Sequence, residues 1–468
     1  MLAMTLAEIA RAVGGSLHDA DPAALVTGPA RYDSRLIEPG DLFVAFPGEK
    51  VDGHDFAARA VAGGAAAVLA GRSVGVPAIV VEDVRAGLGR LARALVDRAD
   101  DLAVVGITGS VGKTTTKDLL GQTLARLGPT VAPPGNLNNE IGLPATVSLI
   151  TPETRYLVCE LGARHVGDVA YLAGLVKPRI GIVTTIGAAH LGEFGSLERT
   201  TAAKGELIEA LPPDGYAVLN ADDARVAGMA ARSAASVVRY GTGATADVRA
   251  QEVVTDRSGR ASFRLCTPVG SARVSLRLVG PHYVSNALAV AAAALSFTDD
   301  AELVADALSG ADPASEGRMV VSDTGSGVTV IDDAYNASPT SVTAALQTAG
   351  LLAQGRRLVA VLGNMGELGP DSAQYHAELG RTATAAGVRY LIGVGNADAG
   401  RIVSAAATGG VEAEHVPDAV AALKLVRQRR AAGDVVLVKG SSLLHLRALA
   451  KQLVADGNGQ SDNKGDGK

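Results

Sequence analysis

The sequence predicts an α/β protein in three parts. A small α/β unit comes first, then a central unit with a phosphate-binding loop on a parallel sheet and appended antiparallel strands, then a doubly wound C-terminal unit. Two observations carry this reading. The 468 residues are enough for about three domains at roughly 150 residues each. Apolar runs also alternate with Ala/Leu-rich amphipathic stretches, the pattern of strands and helices taken in turn, and the texture changes near positions 102 and 317.

The first unit contains the short strand candidates Leu42–Ala45, Ala66–Leu69 and Ala78–Val81, with helices predicted over Phe56–Ala62 and Val84–Arg98. From Leu102 the strands become continuous Val/Ile runs, Ala103–Ile107, Tyr156–Cys159, Ile180–Thr184 and Ala217–Leu219, which suits a parallel sheet covered on both faces. Between Thr242 and Val279 the apolar positions alternate (Phe263, Leu265; Val274, Leu276, Leu278), as in antiparallel strands. The third unit has strands predicted over Val328–Ile331, Arg357–Leu362, Tyr390–Val394 and Val435–Val438. The stretch from Ala455 to Lys468 lacks apolar periodicity and is expected to be disordered.

Composition excludes several classes. Lys and Arg number 43 against 49 Asp and Glu, so 43 − 49 leaves a net charge of −6, a poor basis for binding nucleic acid. Cys159 and Cys266 form no C-x-x-C pair and read as small strand residues of a reduced protein. The apolar stretch Val61–Val81 is interrupted by Arg72, and Ala287–Phe297 is too short to cross about 30 Å of hydrocarbon. Glu8 and Arg11 within the first amphipathic turn argue against a secretory signal. A soluble, cytoplasmic protein without membrane insertion is the expectation.

The strongest motif runs from Gly106 to Lys117 and includes Gly109, Ser110, Gly112, Lys113, Thr114 and Thr115. It follows a buried strand and opens a helix, so backbone N–H groups and the helix N-terminus face one anion. Lys113 would reach the β/γ-phosphates and the Thr114 hydroxyl would ligate Mg2+. Ile107 stands where the standard spacing has glycine, so the loop is a variant. Glu160 ends the next strand, at the carboxyl edge where open α/β sheets bind ligands. His190 follows a third strand toward the same edge. Spacing alone does not single out Lys204 in its Ala/Leu-rich helix, and the polar residues after Ile331 and Val438 read equally as turn chemistry.

Taken in order, these motifs resemble the Mur ligase family over about residues 5–450. The resemblance rests on Asp33-Ser-Arg35, Asp52-Gly-His-Asp-Phe56, Gly109-Ser-Val-Gly-Lys-Thr-Thr-Thr116, Gly135-Asn-Leu-Asn-Asn-Glu140, Glu160-Leu-Gly-Ala163, Ala189-His-Leu191, Ala203-Lys-Gly-Glu206, Gly280-Pro-His-Tyr-Val-Ser-Asn286, Asp332-Asp-Ala-Tyr-Asn336, Gly363-Asn-Met-Gly-Glu-Leu-Gly369 and Lys439-Gly-Ser441. It implies a UDP-sugar-binding domain (1–101), an ATPase domain (102–314) and a Rossmann-like domain (315–454), followed by the tail 455–468. The implied reaction is ATP-dependent amide formation through an acyl phosphate, with UDP-N-acetylmuramoyl-tripeptide and D-alanyl-D-alanine as substrates and a monomer as the default.

Carried over by motif, Thr114 and Glu160 hold a first Mg2+, His190 helps hold a second, and Lys204 carries a CO2-derived carbamate. Asn286 and Asn336 are implied to hold adenine, Asp333 to lie near the ribose, and Arg318 to meet the nucleotide phosphates. Ser34 and Arg35 resemble uridine-diphosphate contacts, and Asn138, Asn139 and Glu140 lie beside the peptide. Met365, Glu367, His376 and Lys439 are implied to receive the dipeptide. Ser442 stands where the family usually has Arg, with Arg447 as a candidate substitute. A sister ligase adding a single amino acid, a folylpolyglutamate synthetase and a non-catalytic nucleotide-binding scaffold are the alternatives. The linker Asp312–Gly317 is the expected hinge for domain closure.

Overall fold

The structure, a computed structural model, describes residues 1–48, 51–189 and 191–462, with side chains through Gly459. Each of the three units has its own sheet. The N-terminal sheet runs Ser16–His18, Ala78–Val80, Ala67–Ala70, Leu42–Val44, Ala30–Arg31, parallel except for the Ser16–His18 edge. A two-stranded ladder pairs Met4–Thr5 with Leu25–Val26. The long helix Val84–Asp97 begins with Asp83, whose carboxylate accepts from the N–H groups of Arg85 and Ala86. Its Leu88, Leu91 and Leu95 share a buried cluster with Leu143, Val147 and Leu172 of the central unit. The first unit is thereby docked on the second by ordinary apolar burial.

The central sheet has nine strands in the order Gly270–Val279, Arg260–Thr267, Val248–Thr255, Ser236–Gly241, Tyr216–Asn220, Ile180–Val183, Ala103–Thr108, Tyr156–Glu160, Thr130–Val131. The expected antiparallel strands are present, and they are continuous with the parallel sheet, because Tyr240 and Gly241 pair in parallel with Val248 and Arg249. Their hairpin turn reaches the third unit, where Gln354 Nε2 donates to the Arg257 carbonyl at 2.5 Å.

The C-terminal sheet runs Val320–Asp323, Thr329–Asp332, Val435–Lys439, Leu358–Gly363, Val388–Val394, Glu412–Val416. Only its first pair is antiparallel. The short edge strands Val320–Asp323 and Glu412–Val416 have few buried residues, and apolar runs did not mark them. The last helix extends over Leu446–Asp462, which corrects the expectation of disorder from Ala455. Polar contacts rather than apolar periodicity hold this extension. Asp456 accepts from Arg427 Nε at 2.6 Å and Nη2 at 2.9 Å, and Asn458 Oδ1 accepts from the Gly325 N–H at 3.1 Å. Among the described residues no helix is long and apolar enough to cross a membrane.

Candidate active site

Gly109 and Gly112 curl the chain between the strand Ala103–Thr108 and the helix Lys113–Leu124. Both have positive φ, +143° and +89°, and a Cβ on Gly109 would lie 1.9 Å from Thr184 Oγ1, so the loop tolerates no side chain there. Gly106 belongs to the strand, where it makes room for Leu207. The Ser110 hydroxyl ties the loop to the next strand's exit by donating to Gly187 O at 3.2 Å and accepting from Gly187 N at 2.9 Å. Lys113 Nζ donates to Gly109 O at 2.8 Å.

Both oxygens of Glu160 are engaged. Oε2 accepts from the Thr114 hydroxyl at 2.8 Å and Oε1 from Asn138 Nδ2 at 2.7 Å. Arg318 Nη2, from the third unit, donates to the same Thr114 hydroxyl at 3.2 Å. Burial pushes Lys113 below its ordinary value; Glu160 opposes this and Arg318 adds to it. Lys204, 2% exposed, is pushed down to about 7 by burial, with Lys113 acting the same way and Glu160 opposing. Its Nζ lies 5.6 Å from the centre of the Phe194 ring. The fold thus brings Lys113, Thr114, Glu160, Lys204 and Arg318 together; His190 lies outside the described residues.

The donor chemistry fits magnesium. Thr114 and Glu160 are hard oxygen ligands at the phosphate loop, and Mg2+ takes one or two protein oxygens and fills its octahedron with phosphate and water. Among the described residues no three His, Cys, Asp or Glu groups cluster to hold a metal without such help.

Several of these residues have partners within the chain. Asn286 Nδ2 donates to Gly112 O at 3.1 Å and Thr116 Oγ1 at 2.9 Å, so it fastens the helix Tyr283–Ala294 to the phosphate loop. Asn138 orients Glu160, while Asn139 Oδ1 accepts from the Ile141 and Gly142 N–H groups at the next helix start; Glu140 is exposed. Lys439 is 3% exposed and donates to Asp333 Oδ2 at 2.6 Å and to the carbonyls of Asp333 and Asn336. It therefore builds the loop after Asp332 instead of an open dipeptide face. His376 is fully buried; its Nδ1 bonds the Ser372 carbonyl at 2.7 Å and its Nε2 accepts from the Met365 N–H at 2.9 Å. Both ring nitrogens are used in shaping the Gly363–Gly369 turn, and Met365 is itself core.

Glu367 has φ +58°, and its carbonyl accepts from the Gly192 N–H at 2.7 Å, a direct contact between the second and third units. The Asn336 side chain is exposed. Ser34 and Arg35 lie in the first unit, away from this cluster, with Arg35 paired to Asp33 at 2.7 Å. Arg447 is bound to Glu316, which engages it at the linker. Sequence reasoning missed Glu206, whose carboxylate accepts from Gly167 N at 2.7 Å and Ala170 N at 2.9 Å and so caps a helix, and Asp118 and Gln122, which grip the linker. The i, i+4 spacing of that last pair on the loop helix was a readable signal.

A phosphate loop carrying a lysine and hydroxyl, an acid from the neighbouring strand and an arginine from a second domain define a nucleotide-dependent enzyme of phosphoryl-transfer type. Family profiles match in chain order: the Mur ligase family catalytic domain over 30–101, the Mur ligase middle domain over 107–294 and the Mur ligase glutamate ligase domain over 317–442. The chain belongs to the Mur ligase family. It is 46% identical over 505 residues to the UDP-N-acetylmuramoyl-tripeptide–D-alanyl-D-alanine ligase of Mycobacterium tuberculosis (strain ATCC 25618 / H37Rv), covering 97% of this chain and 98% of that one. The enzyme of the same name from Escherichia coli (strain K12) is 36% identical over 463 residues, covering 98% and 100%. Among solved structures, MurF from Acinetobacter baumannii superposes with a TM-score of 0.86 at 34% identity, covering 97% and 99%. MurF ligase from Thermotoga maritima in complex with ADP gives 0.76 at 28%, covering 94% and 99%.

Proposed function

We infer that this chain is an ATP-dependent, amide-forming ligase that joins D-alanyl-D-alanine to UDP-N-acetylmuramoyl-tripeptide in peptidoglycan precursor synthesis. The observation that carries the reading is the convergence of Lys113, Glu160, Lys204 and Arg318 on the phosphate loop, in a chain similar to ligases of that name along its whole length. The tripeptide's terminal carboxylate attacks the γ-phosphorus of ATP, releasing ADP and leaving an acyl phosphate. The dipeptide amine then attacks the acyl carbon; the amine loses a proton and phosphate departs from the tetrahedral intermediate.

Two anions must meet in the first step. Lys113, the loop N–H groups and Arg318 offset their repulsion, and this electrostatic positioning is the main source of catalysis in phosphoryl transfer. Thr114 and Glu160 would hold Mg2+, which would supply further charge neutralisation there. Lys204, with its ammonium form disfavoured, is poised to attack CO2 through the neutral amine, losing a proton and gaining a carbamate. An oxygen-tipped side chain suits a second hard cation together with His190, where an ammonium would repel it. Ser34 and Arg35 are assigned to the uridine diphosphate, Asn139 and Glu140 to the peptide, and Asn336 and Asp333 to the nucleoside. The reaction is placed in the cytoplasm, with a monomer as the working unit.

The test is phosphate release from Mg-ATP with UDP-N-acetylmuramoyl-tripeptide, comparing D-alanyl-D-alanine with single amino acids. Release with the dipeptide alone, with the matching mass gain on the precursor, is the expected result. Release with a single amino acid moves the chain to a sister activity.

A further inference from the structure

Arg318 is fixed from three directions by one loop. The Tyr335 N–H donates to the Gly317 carbonyl at 3.2 Å, immediately before the arginine. The Met319 N–H donates to Asp333 Oδ1 at 3.1 Å, immediately after it. Between these ties the Tyr335 ring lies under the guanidinium, with Arg318 Cζ 4.3 Å from the ring centre. Arg318 Nη2 meets Thr114, whereas Nε is buried without a hydrogen-bond partner. An orphaned, charged donor beside a phosphate loop is a group waiting for an anion.

A guanidinium has long, flexible support, and its effect on an anion depends on where its plane points. Stacking on an aromatic face fixes that plane without consuming any of its N–H donors. We propose that Tyr335 is the positioning residue for Arg318, its ring holding the guanidinium in the orientation from which the free N–H groups meet the nucleotide phosphates. The proposal rests on the nucleotide-binding part of the function inferred above and assigns a role to a residue that the motif comparison left without one. The tyrosine hydroxyl has no part in it; the flat ring does.

The experiment measures binding of Mg-ADP and a non-hydrolysable Mg-ATP analogue by calorimetry in the full chain, alongside turnover. Tyr335→Phe keeps the ring and should bind and turn over as wild type does. Tyr335→Leu and Tyr335→Met keep bulk without the ring, and each should weaken the ATP analogue by about tenfold, the scale of a partly desolvated cation–π contact. Melting curves identify which of the two retains the fold.

In an Arg318→Ala background the same substitutions should cost nothing further. An undiminished loss in that background, or a loss in Tyr335→Phe equal to that in Tyr335→Leu, overturns the proposal. So does wild-type affinity in a folded ring-less variant. Nucleotide binding needs no dipeptide, so failure of wild-type ligase turnover would sink the ligase reading and leave the Tyr335 measurement valid.

Discussion

Ser315 and Glu316 are consecutive residues anchored in different domains. The Ser315 hydroxyl donates to Asp118 on the phosphate-loop helix, and Gln122, one turn on, both donates to and accepts from the Asp312 backbone at 2.9 Å. Glu316 instead pairs with Arg447 and, at 2.9 Å, with Lys451 on the last helix. The linker expected to flex over Asp312–Gly317 is therefore held on its first four residues by the central domain. If the domains rotate, these anchors predict the pivot at Glu316–Gly317.

Gly317→Ala tests that pivot. Gly317 has φ +70°, and an added Cβ would stand 2.9 Å from Arg447 Nε, so alanine strains the backbone by about 1–2 kcal/mol and crowds the arginine. Small-angle scattering of wild type with an ATP analogue and tripeptide substrate should show a smaller radius of gyration than the free enzyme. The variant should lose most of that change while retaining Mg-ADP affinity. An unchanged radius in wild type would remove domain closure from the mechanism.

Lys204→Ala should abolish most turnover, and bicarbonate depletion should slow wild type but leave the variant's residual rate untouched. Equal sensitivity of both proteins to bicarbonate would remove the carbamate from the account.

The same lysine gives stability a pH dependence. Its folded value of about 7 lies below the ordinary 10.5, so between these values the unfolded chain binds more protons than the native one. Stability linked to Lys204 therefore rises with pH from about 7 toward about 10.5, and the burial penalty is present in full below 7. Urea unfolding at pH 6 and pH 9 should show Lys204→Met stabilised relative to wild type at the lower pH and much less so at the higher. A pH-independent difference would contradict the assigned burial.

Lys439→Met separates two roles for that residue. Removing the cation leaves Asp333 buried and unpaired, a loss of about 3–5 kcal/mol, and loosens the loop that orients Arg318. Nucleotide affinity should fall while the KM for D-alanyl-D-alanine stays near wild type. A selective rise in that KM would return Lys439 to the dipeptide site.

Asn286→Ala removes the two hydrogen bonds that fasten its helix to Gly112 and Thr116. With about 0.5–1.5 kcal/mol for each, the KM for ATP should rise by roughly tenfold. An unchanged KM would mean that the loop holds its shape unaided.

Much of this was legible before the fold. The strand–loop–helix around Lys113 announces itself because glycines, lysine and hydroxyl must be consecutive to wrap one anion. The buried strands ending in Glu160 and Lys439 were readable as unbroken apolar runs. Roles were harder, because a motif identifies a residue without its partner. Asn138 reaches Glu160 across 22 positions and Lys439 reaches Asp333 across 106, distances over which spacing says nothing. His376 was assigned to the dipeptide face by resemblance alone, and a lone histidine in a polar helix carries no sequence sign of its burial. The helical extension to Asp462 went unread because one ion pair and a contact with the Gly325 backbone hold it.

The Lys439–Asp333 pair also shapes how the enzyme can diverge. Either residue changed alone leaves a stranded charge in the interior, so the two positions are bound to change together if the pair is to be exchanged at little cost. Ser442, exposed three residues beyond the lysine, is under no such bond. Lineages can experiment there without disturbing the loop that serves the nucleotide.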